Sequence, residues 1–358
     1  MAVTIKDVAR EARVSVASVS RALNGTPSVT EGTRARILGV AKRLRYMPHG
    51  AARSLITRRT NTIGALLPDL FGEFFSELIR GIDLAARSRG LHLLVSSSHG
   101  DATEAAAALR AMQGRVDGLL VMSPHVDAEF LHDNLPDSLP VVLMNTAMKN
   151  ARYSTLNVDN FGGAFAITQH LIEHGHRHIA LIAGPLNNFD AQQRDEGYRA
   201  AMKKCAPGLR SQVVAGDFSE EAGYRAGTEL LAAQPRPSAV FAANDMMAVG
   251  CLYAFAQAGV RVPEDIAVAG FDDIPIARYV TPPLTTVRVR IADLGRSALE
   301  RLALRLENSG ESDASAQTLG YEIVVRRTCG AGGENAVAIE RERNSQTINS
   351  ESKPGRKP

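Results

Sequence analysis

From Thr62 onward, apolar runs of strand length alternate with stretches of helical periodicity. The runs are IGALLP at 63–68, LHLLVSSS at 91–98, GLLVMS at 118–123, VVLMN at 141–145, IALIAG at 179–184, AVFAAND at 239–245 and IAVAGFDD at 266–273. Between them, residues 74–89, 101–113, 161–174, 191–204, 219–233, 246–258 and 291–308 read as helices. Short, nearly all-apolar strands separated by helices predict βαβ units and parallel sheets covered on both faces. About ten such strands are too many for one small sheet, so the expected body is α/β with two lobes. Residues 4–46 differ: they read as short helices only. Residues 47–60 form a basic connector. From Cys329 the chain is rich in Gly, Asn, Ser and charge, without periodicity, and is expected to be a disordered tail over 329–358.

The first segment carries its own local signals. Thr4, three residues before Asp7, suits the cap of a helix over 5–12 with Ile5, Val8, Ala9 and Ala12 inward. Arg13 and Val14 make a turn, and Ser15 caps a second helix over 16–23 whose inward residues are Val19, Ala22 and Leu23. Asn24-Gly25 ends it. A third helix from about Glu31 to Leu44 buries Ile37, Val40, Ala41 and Leu44. Two short helices on a tight turn are a helix-turn-helix.

Charge sharpens that reading. The 358-residue chain is nearly balanced, with 41 Lys+Arg against 38 Asp+Glu. Residues 1–60, however, hold 12 basic and 3 acidic residues, leaving 29 and 35 for the remainder. A basic head on an acidic body is the electrostatic footprint of nucleic-acid binding. Full hydrophobic content excludes a disordered polyelectrolyte, and no apolar run is long enough to span a bilayer. The charged N-terminus lacks the core of a signal peptide. Three separated cysteines, Cys205, Cys251 and Cys329, argue for a reducing, cytoplasmic setting.

TIKDVAREARVSVASVSRALNG, followed by YMPHGAARSL, resembles the lactose/galactose repressor (LacI) family of bacterial transcription regulators, and the resemblance runs to GYEIVVRRT. It implies a helix-turn-helix head over 1–46, a hinge helix over 47–60, and a body over 61–328 like periplasmic sugar-binding proteins. Within that body the N-lobe is expected at about 61–159 and 290–318, and the C-lobe at about 160–289 and 319–328. The second helix of the head is expected in the major groove. There Arg21 suits guanine, Val16 and Ala17 suit thymine methyls, and Thr4, Ser15, Ser18 and Ser20 complete the DNA-facing set. The resemblance makes Leu55 a minor-groove wedge, flanked by Ala52 and Arg53. The chain departs from the family at His49, where Asn is common, and at Arg45, where Gly is common.

For the body, the resemblance implies a small-molecule effector between the lobes. Arg194 and Asp272 are the leading contacts, joined by Asn244, Phe74 and Phe75. Phe161, Phe189 and Phe271 join Phe74 and Phe75 as the main stacking candidates, with Asp69, Ser123, Asn145, Asp159 and Asn188 weaker. Asp245 is the expected cap of the helix that follows the 239–245 strand. The arginine and carboxylate favour a sugar or sugar derivative, and the phenylalanines leave a nucleoside or purine as the alternative. A ligand-free architectural DNA-binding protein and a sugar-acting enzyme are the rivals from other classes. His170 and His174 are i, i+4, with His176 and His178 beyond. Gly175 interrupts their helix, so no metal is assigned, and neither a phosphate loop nor a nucleophilic triad can be supported. No cofactor is expected. The expected partners are double-stranded operator DNA, the effector and a second copy of the chain, without membrane. The tail lacks leucine heptads, which favours a dimer over a tetramer.

Overall fold

The computed structural model describes residues 3–23, 27–47, 59–122, 128–134, 139–147, 153–209, 211–307, 315–330 and 339–340. It divides into two units, Met1–Asn61 and Thr62–Pro358.

The head has three helices, α1 (Ile5–Glu11), α2 (Val16–Leu23) and α3 (Glu31–Arg43). Val8, Ala9, Ala12, Val19, Ala22, Ile37, Val40 and Ala41 form its core, with Ile5, Leu23 and Leu44 half-buried against it. Asp7 accepts from both the backbone N–H and the hydroxyl of Thr4, closing the first turn of α1. Ser15 Oγ accepts from the Ser18 N–H at 3.1 Å, which caps α2. Arg45 takes φ 51, the left-handed geometry that ends helices, with a side chain where glycine would be strain-free.

The body holds two sheets. The first contains β1 (Thr62–Leu67), β2 (His92–Ser97), β3 (Gly118–Met122), β4 (Val141–Met144), β5 (Ser154–Val158) and β11 (Ala316–Leu319), in the order β11-β5-β4-β3-β1-β2. Every pairing in it is parallel. The second contains β6 (Ile179–Ile182), β7 (Ser211–Val214), β8 (Ala239–Ala242), β9 (Ala267–Asp272), β10 (Thr285–Arg288), β12 (Glu322–Val324) and β13 (Ile339–Glu340), in the order β13-β12-β10-β9-β8-β6-β7. It is parallel except at β10–β12 and β12–β13.

The helices of the first lobe are α4 (Glu73–Ser88), α5 (Ala102–Met112) and α6 (Ala128–Asn134). Those of the second are α7 (Asn160–Glu173), α8 (Phe189–Cys205), α9 (Glu220–Ala232) and α10 (Asp245–Gln257), and α11 (Ile291–Glu307) returns to pack on α4. The two-lobed parallel α/β body expected from the hydrophobic pattern is the fold observed.

Two corrections fall at the chain's end. Cys329, placed in the tail, is fully buried, with its sulfur 3.5 Å from His170 Nε2. Ile339–Glu340 adds an antiparallel strand to β12, where an aperiodic sequence gives no strand signal.

Candidate functional site

The carboxyl ends of the strands in both lobes open onto one cleft, a cavity of about 170 Å³. Four of its polar groups, Asp69, Asn188, Ser219 and Asn244, are fixed by local turns. Asp69, just after β1, accepts from the N–H groups of Leu70 and Phe71 at 2.6 and 3.1 Å. That turn delivers the chain into α4, whose first turn carries Phe74 and Phe75, edge to face at 5.4 Å. Asn188 caps α8 through the Ala191 N–H, Ser219 caps α9 through the Ala222 N–H, and Asn244 caps α10 through the Met247 N–H. Helix N-termini therefore rim the cleft with polar groups. Asn244 also donates to the Phe218 carbonyl at 2.9 Å. The cap expected at Asp245 belongs to Asn244. Asp245 instead lies buried behind it, accepting from the Thr286 hydroxyl and the Ile274 N–H.

Arg194 is the centre of the site. It is 4% exposed, and its donors are engaged with Asn160 Oδ1 at 2.9 Å, the Ala243 carbonyl at 2.6 Å and Asp272 Oδ1 at 3.0 Å. Its guanidinium lies 3.9 Å from the centroid of Phe271, with Phe218 at 5.8 Å. Asp190, one helical turn before Arg194, accepts from Asn145 Nδ2 at 3.0 Å and Asn160 Nδ2 at 2.8 Å. Burial pushes the Asp272 carboxyl up to about 6, against the pull of Arg194. Burial pushes Asp190 up to about 6 as well, against Arg194 and the two asparagine donors. Asp245 is raised well above the usual carboxylate range by burial, with the Asp272 charge adding to it.

The cleft brings together Asp69, Phe74, Phe75, Asn188, Arg194, Asn244 and Asp272. Five other candidates stand apart from its lining. Phe271 is fully buried beneath Arg194 and acts as its platform. Phe161 is 40% exposed and stacks on Phe165. Asp159 is taken up as the cap of α7, accepting from the Gly162 N–H at 2.8 Å. Asn145 is held behind the cleft against Asp190, with its Oδ1 buried and unpartnered. Phe189 opens α8 outside the lining, and Ser123 lies outside the described residues.

Sequence reasoning missed Asp190, Phe218, Ser219, Met122 and Met246, all of which line the cavity. Asp190 carried a usable signal: it precedes Arg194 by four residues, one face of a helix.

The histidine group packs around the start of the tail. The His170 and His174 rings sit 4.2 Å apart, and His174 Nδ1 meets the His170 carbonyl. His176 Nε2 meets the Cys329 carbonyl at 3.3 Å. His178 Nδ1 is buried without a partner. Burial holds His170 down at about 4. Among the described residues, no three ligating side chains are grouped to hold a metal ion.

On the head, Thr4, Ser15, Val16, Ala17 and Arg21 are exposed, while Ser18 and Ser20 are half-buried. Ala52, Arg53, Leu55 and His49 lie outside the described residues.

Residues 4–49 match the family described as bacterial regulatory proteins, lacI family, and residues 168–329 match a periplasmic binding protein-like domain. The ribose operon repressor of Escherichia coli (strain K12) is 39% identical over 307 residues, covering 85% of this chain and 93% of that protein. The chain belongs to the lacI family of bacterial regulatory proteins. The HTH-type transcriptional repressor PurR of Proteus mirabilis (strain HI4320) is 37% identical over 335 residues, covering 92% of this chain and 97% of that one. Among solved structures, the Lac repressor dimer bound to operator and the anti-inducer ONPF superposes with a TM-score of 0.82 at 26% identity, covering 92% of this chain and 99% of that chain. This lacI-family protein thus pairs a DNA-binding helix-turn-helix head with a ligand-binding type of body. Among its described residues, no helix is long and apolar enough to cross a membrane.

Proposed function

We propose that this lacI-family regulator is a repressor that binds a palindromic operator as a homodimer and answers to a neutral, polyhydroxylated small molecule in the cleft. The observation that carries the effector class is the balance of charge around Arg194. Asp69, Asp190 and Asp272 share the lining with a single guanidinium, that of Arg194, whose donors already serve Asn160, Ala243 and Asp272. An anionic effector would meet net repulsion there. Hydroxyl groups supply the donors that buried carboxylates need. Phe71, Phe74, Phe75 and Phe218 offer flat apolar faces to a sugar ring. The likeness to a protein named ribose operon repressor supports a monosaccharide.

A nucleoside or purine is the second reading. It is favoured by the same four phenylalanines and by the likeness to the repressor PurR. In either case the head contacts DNA through Val16, Ala17 and Arg21 on the exposed face of α2, with Thr4, Ser15, Ser18 and Ser20 toward phosphates. Ala52, Arg53 and Leu55 extend the contact into the minor groove. Effector binding changes the relation of the lobes and, through the connector, the affinity for DNA. The protein acts in the cytoplasm and turns over no substrate.

The test is a thermal-unfolding screen of the full chain against ribose, other mono- and disaccharides, sugar phosphates, sugar acids, nucleosides and free purines. A neutral sugar or nucleoside at about 100 times its dissociation constant adds about 2.7 kcal/mol of stability. Stabilisation by sugar acids alone would overturn the charge argument. Arg21→Ala is expected to cost about 1–3 kcal/mol of operator binding and to relax preference at one guanine, read from binding to single-base operator variants.

A further inference from the structure

A second cavity, of about 380 Å³, lies where the two lobes meet. α4 contributes Glu77 and Arg80, the turn after β9 contributes Asp273, Arg278 and Tyr279, and the segment from β10 into α11 contributes Arg288 to Asp293. Four of the residues around it are arginines: Arg80, Arg278, Arg288 and Arg290. Nothing in the proposed repressor mechanism uses them.

The pairing inside this cavity is uneven. The Asp273 side chain is 1% exposed, and both of its oxygens are already served, Oδ2 by Arg288 Nε at 2.6 Å and Oδ1 by Arg326 Nη2 at 2.5 Å. Arg278 stands 3.8 Å from the same carboxylate with 56% of its side chain exposed. Asp273 therefore has no need of it. Arg80 is paired with Glu77 on its own helix. Glu77 and Asp293 are the remaining acids of the lining, which with Asp273 makes three acids against four arginines, and Arg278 is held only loosely by its carboxylate partner.

We propose that this cavity is a second regulatory site, which takes the phosphate monoester of a small metabolite with Arg278 as its principal cation. A guanidinium fork matches two phosphate oxygens, and the cavity is roomier than a bare phosphate needs. The site sits on both lobes: Arg80 belongs to the first and Arg278 to the second. The Glu73 carboxylate accepts the Ile276 N–H at 2.8 Å close by, another tie across the same junction. An occupant bridging Arg80 and Arg278 favours one arrangement of the lobes over another.

The site also backs directly onto the effector cleft. Asp272 and Asp273 are consecutive, with φ of 113 and 56, and they serve opposite sides. Asp272 holds Arg194 in the cleft, while Asp273 holds Arg288 and Arg326 at the second cavity. Drawing Arg278 or Arg288 onto a phosphate shifts the dipeptide that presents Asp272, which couples the two sites.

The test uses the full-length protein with inorganic phosphate and ribose 5-phosphate, against chloride at matched ionic strength. Thermal unfolding and calorimetric titration are expected to show saturable binding in the native chain and in Asp272→Asn. In Arg278→Gln the affinity falls about tenfold or more, and Arg278→Lys recovers part of it. Hydrogen exchange on the native protein gives a readout that needs no variant: phosphate is expected to protect 275–293 most strongly, with a smaller change at 188–194 carried through Asp272 and Arg194. Three results overturn the proposal. They are no stabilisation beyond chloride, undiminished binding in Arg278→Gln, and protection confined to the cleft with loss of binding in Asp272→Asn. The last would place the phosphate in the effector cleft.

Discussion

Head and body use glycine in opposite ways. In α3 of the head, a Cβ added at Gly32 or Gly39 meets nothing within 4 Å. In the body, α4 and α11 cross so closely that a Cβ on Gly81 would fall on the Ala292 carbonyl oxygen, and one on Gly295 on the Leu78 carbonyl oxygen. The head is a small core with slack at its surface, and Thr4, Ser15, Val16, Ala17 and Arg21, proposed to touch DNA, are exposed on it. The body is close-packed down to its backbone, and its chemistry is buried. Function in the first depends on what one helix presents, and in the second on how distant segments meet.

The sharpest break of that contrast is Arg194→Ala. It strips donors from Asp272, Asn160 and the Ala243 carbonyl and leaves two acids buried. The body is expected to lose about 3–5 kcal/mol at pH 7, and effector binding with it. Because Asp190 and Asp272 sit at about 6, they protonate at pH 5, and the loss shrinks there. Urea unfolding at the two pH values checks both statements. A head whose own unfolding is unchanged in the variant keeps the two regions separate.

Gly81→Ala is the next largest. With a carbonyl oxygen in the way, the α4–α11 crossing must open, at a cost of about 1–3 kcal/mol to the body. An unchanged denaturation midpoint would mean the crossing has slack of the kind seen in α3.

The cleft acids also set a pH dependence. Their folded values lie above the ordinary 3.8, so protonation stabilises the unliganded body. That contribution is complete below about pH 4 and is lost as pH rises through about 6. Hydroxyl donors need the charged carboxylates, so effector affinity is expected to rise from pH 5 to 7. The limit is about tenfold per pH unit for each coupled proton, with protons released on binding. Calorimetry in buffers of different ionisation enthalpy measures that release.

The smallest effect is the mirror of Gly81. Gly39→Ala is expected to stabilise the head by about 0.5–1 kcal/mol, because α3 gains propensity and meets no obstacle. Thermal unfolding followed by circular dichroism reads it.

The same contrast explains what the sequence revealed. The head was readable nearly residue by residue, since caps, turn and inward positions are set within a few residues of one another. In the body, β1, β3, β4 and β9 stood out because they are continuous apolar runs. β5 (STLNV), β7 (SQVV) and β10 (TTVR) did not, because polar residues or an edge position dilute the signal. Arg194 and Asp272 were legible as types. Their partnership spans 78 positions and was not. Phe271 shows the limit most clearly. An aromatic residue beside a site aspartate suggests ligand stacking, whereas the fold turns it under Arg194 as a platform. Asn244 takes the cap expected at Asp245 for a similar reason: either side chain can cap, and Asp245 is drawn inward by the Thr286 hydroxyl and the Ile274 N–H.

The central claim is that the buried cleft speaks to the exposed head. Its most direct test is the affinity of the full-length protein for an operator selected from random DNA, measured with and without a saturating sugar or nucleoside from the stability screen. At fixed salt, the native chain is expected to change its operator affinity by about 5–150-fold, equivalent to about 1–3 kcal/mol of coupling, while Asp272→Asn binds the operator with no response. Equal affinity with and without a bound cleft ligand, or a full response in Asp272→Asn, would contradict it.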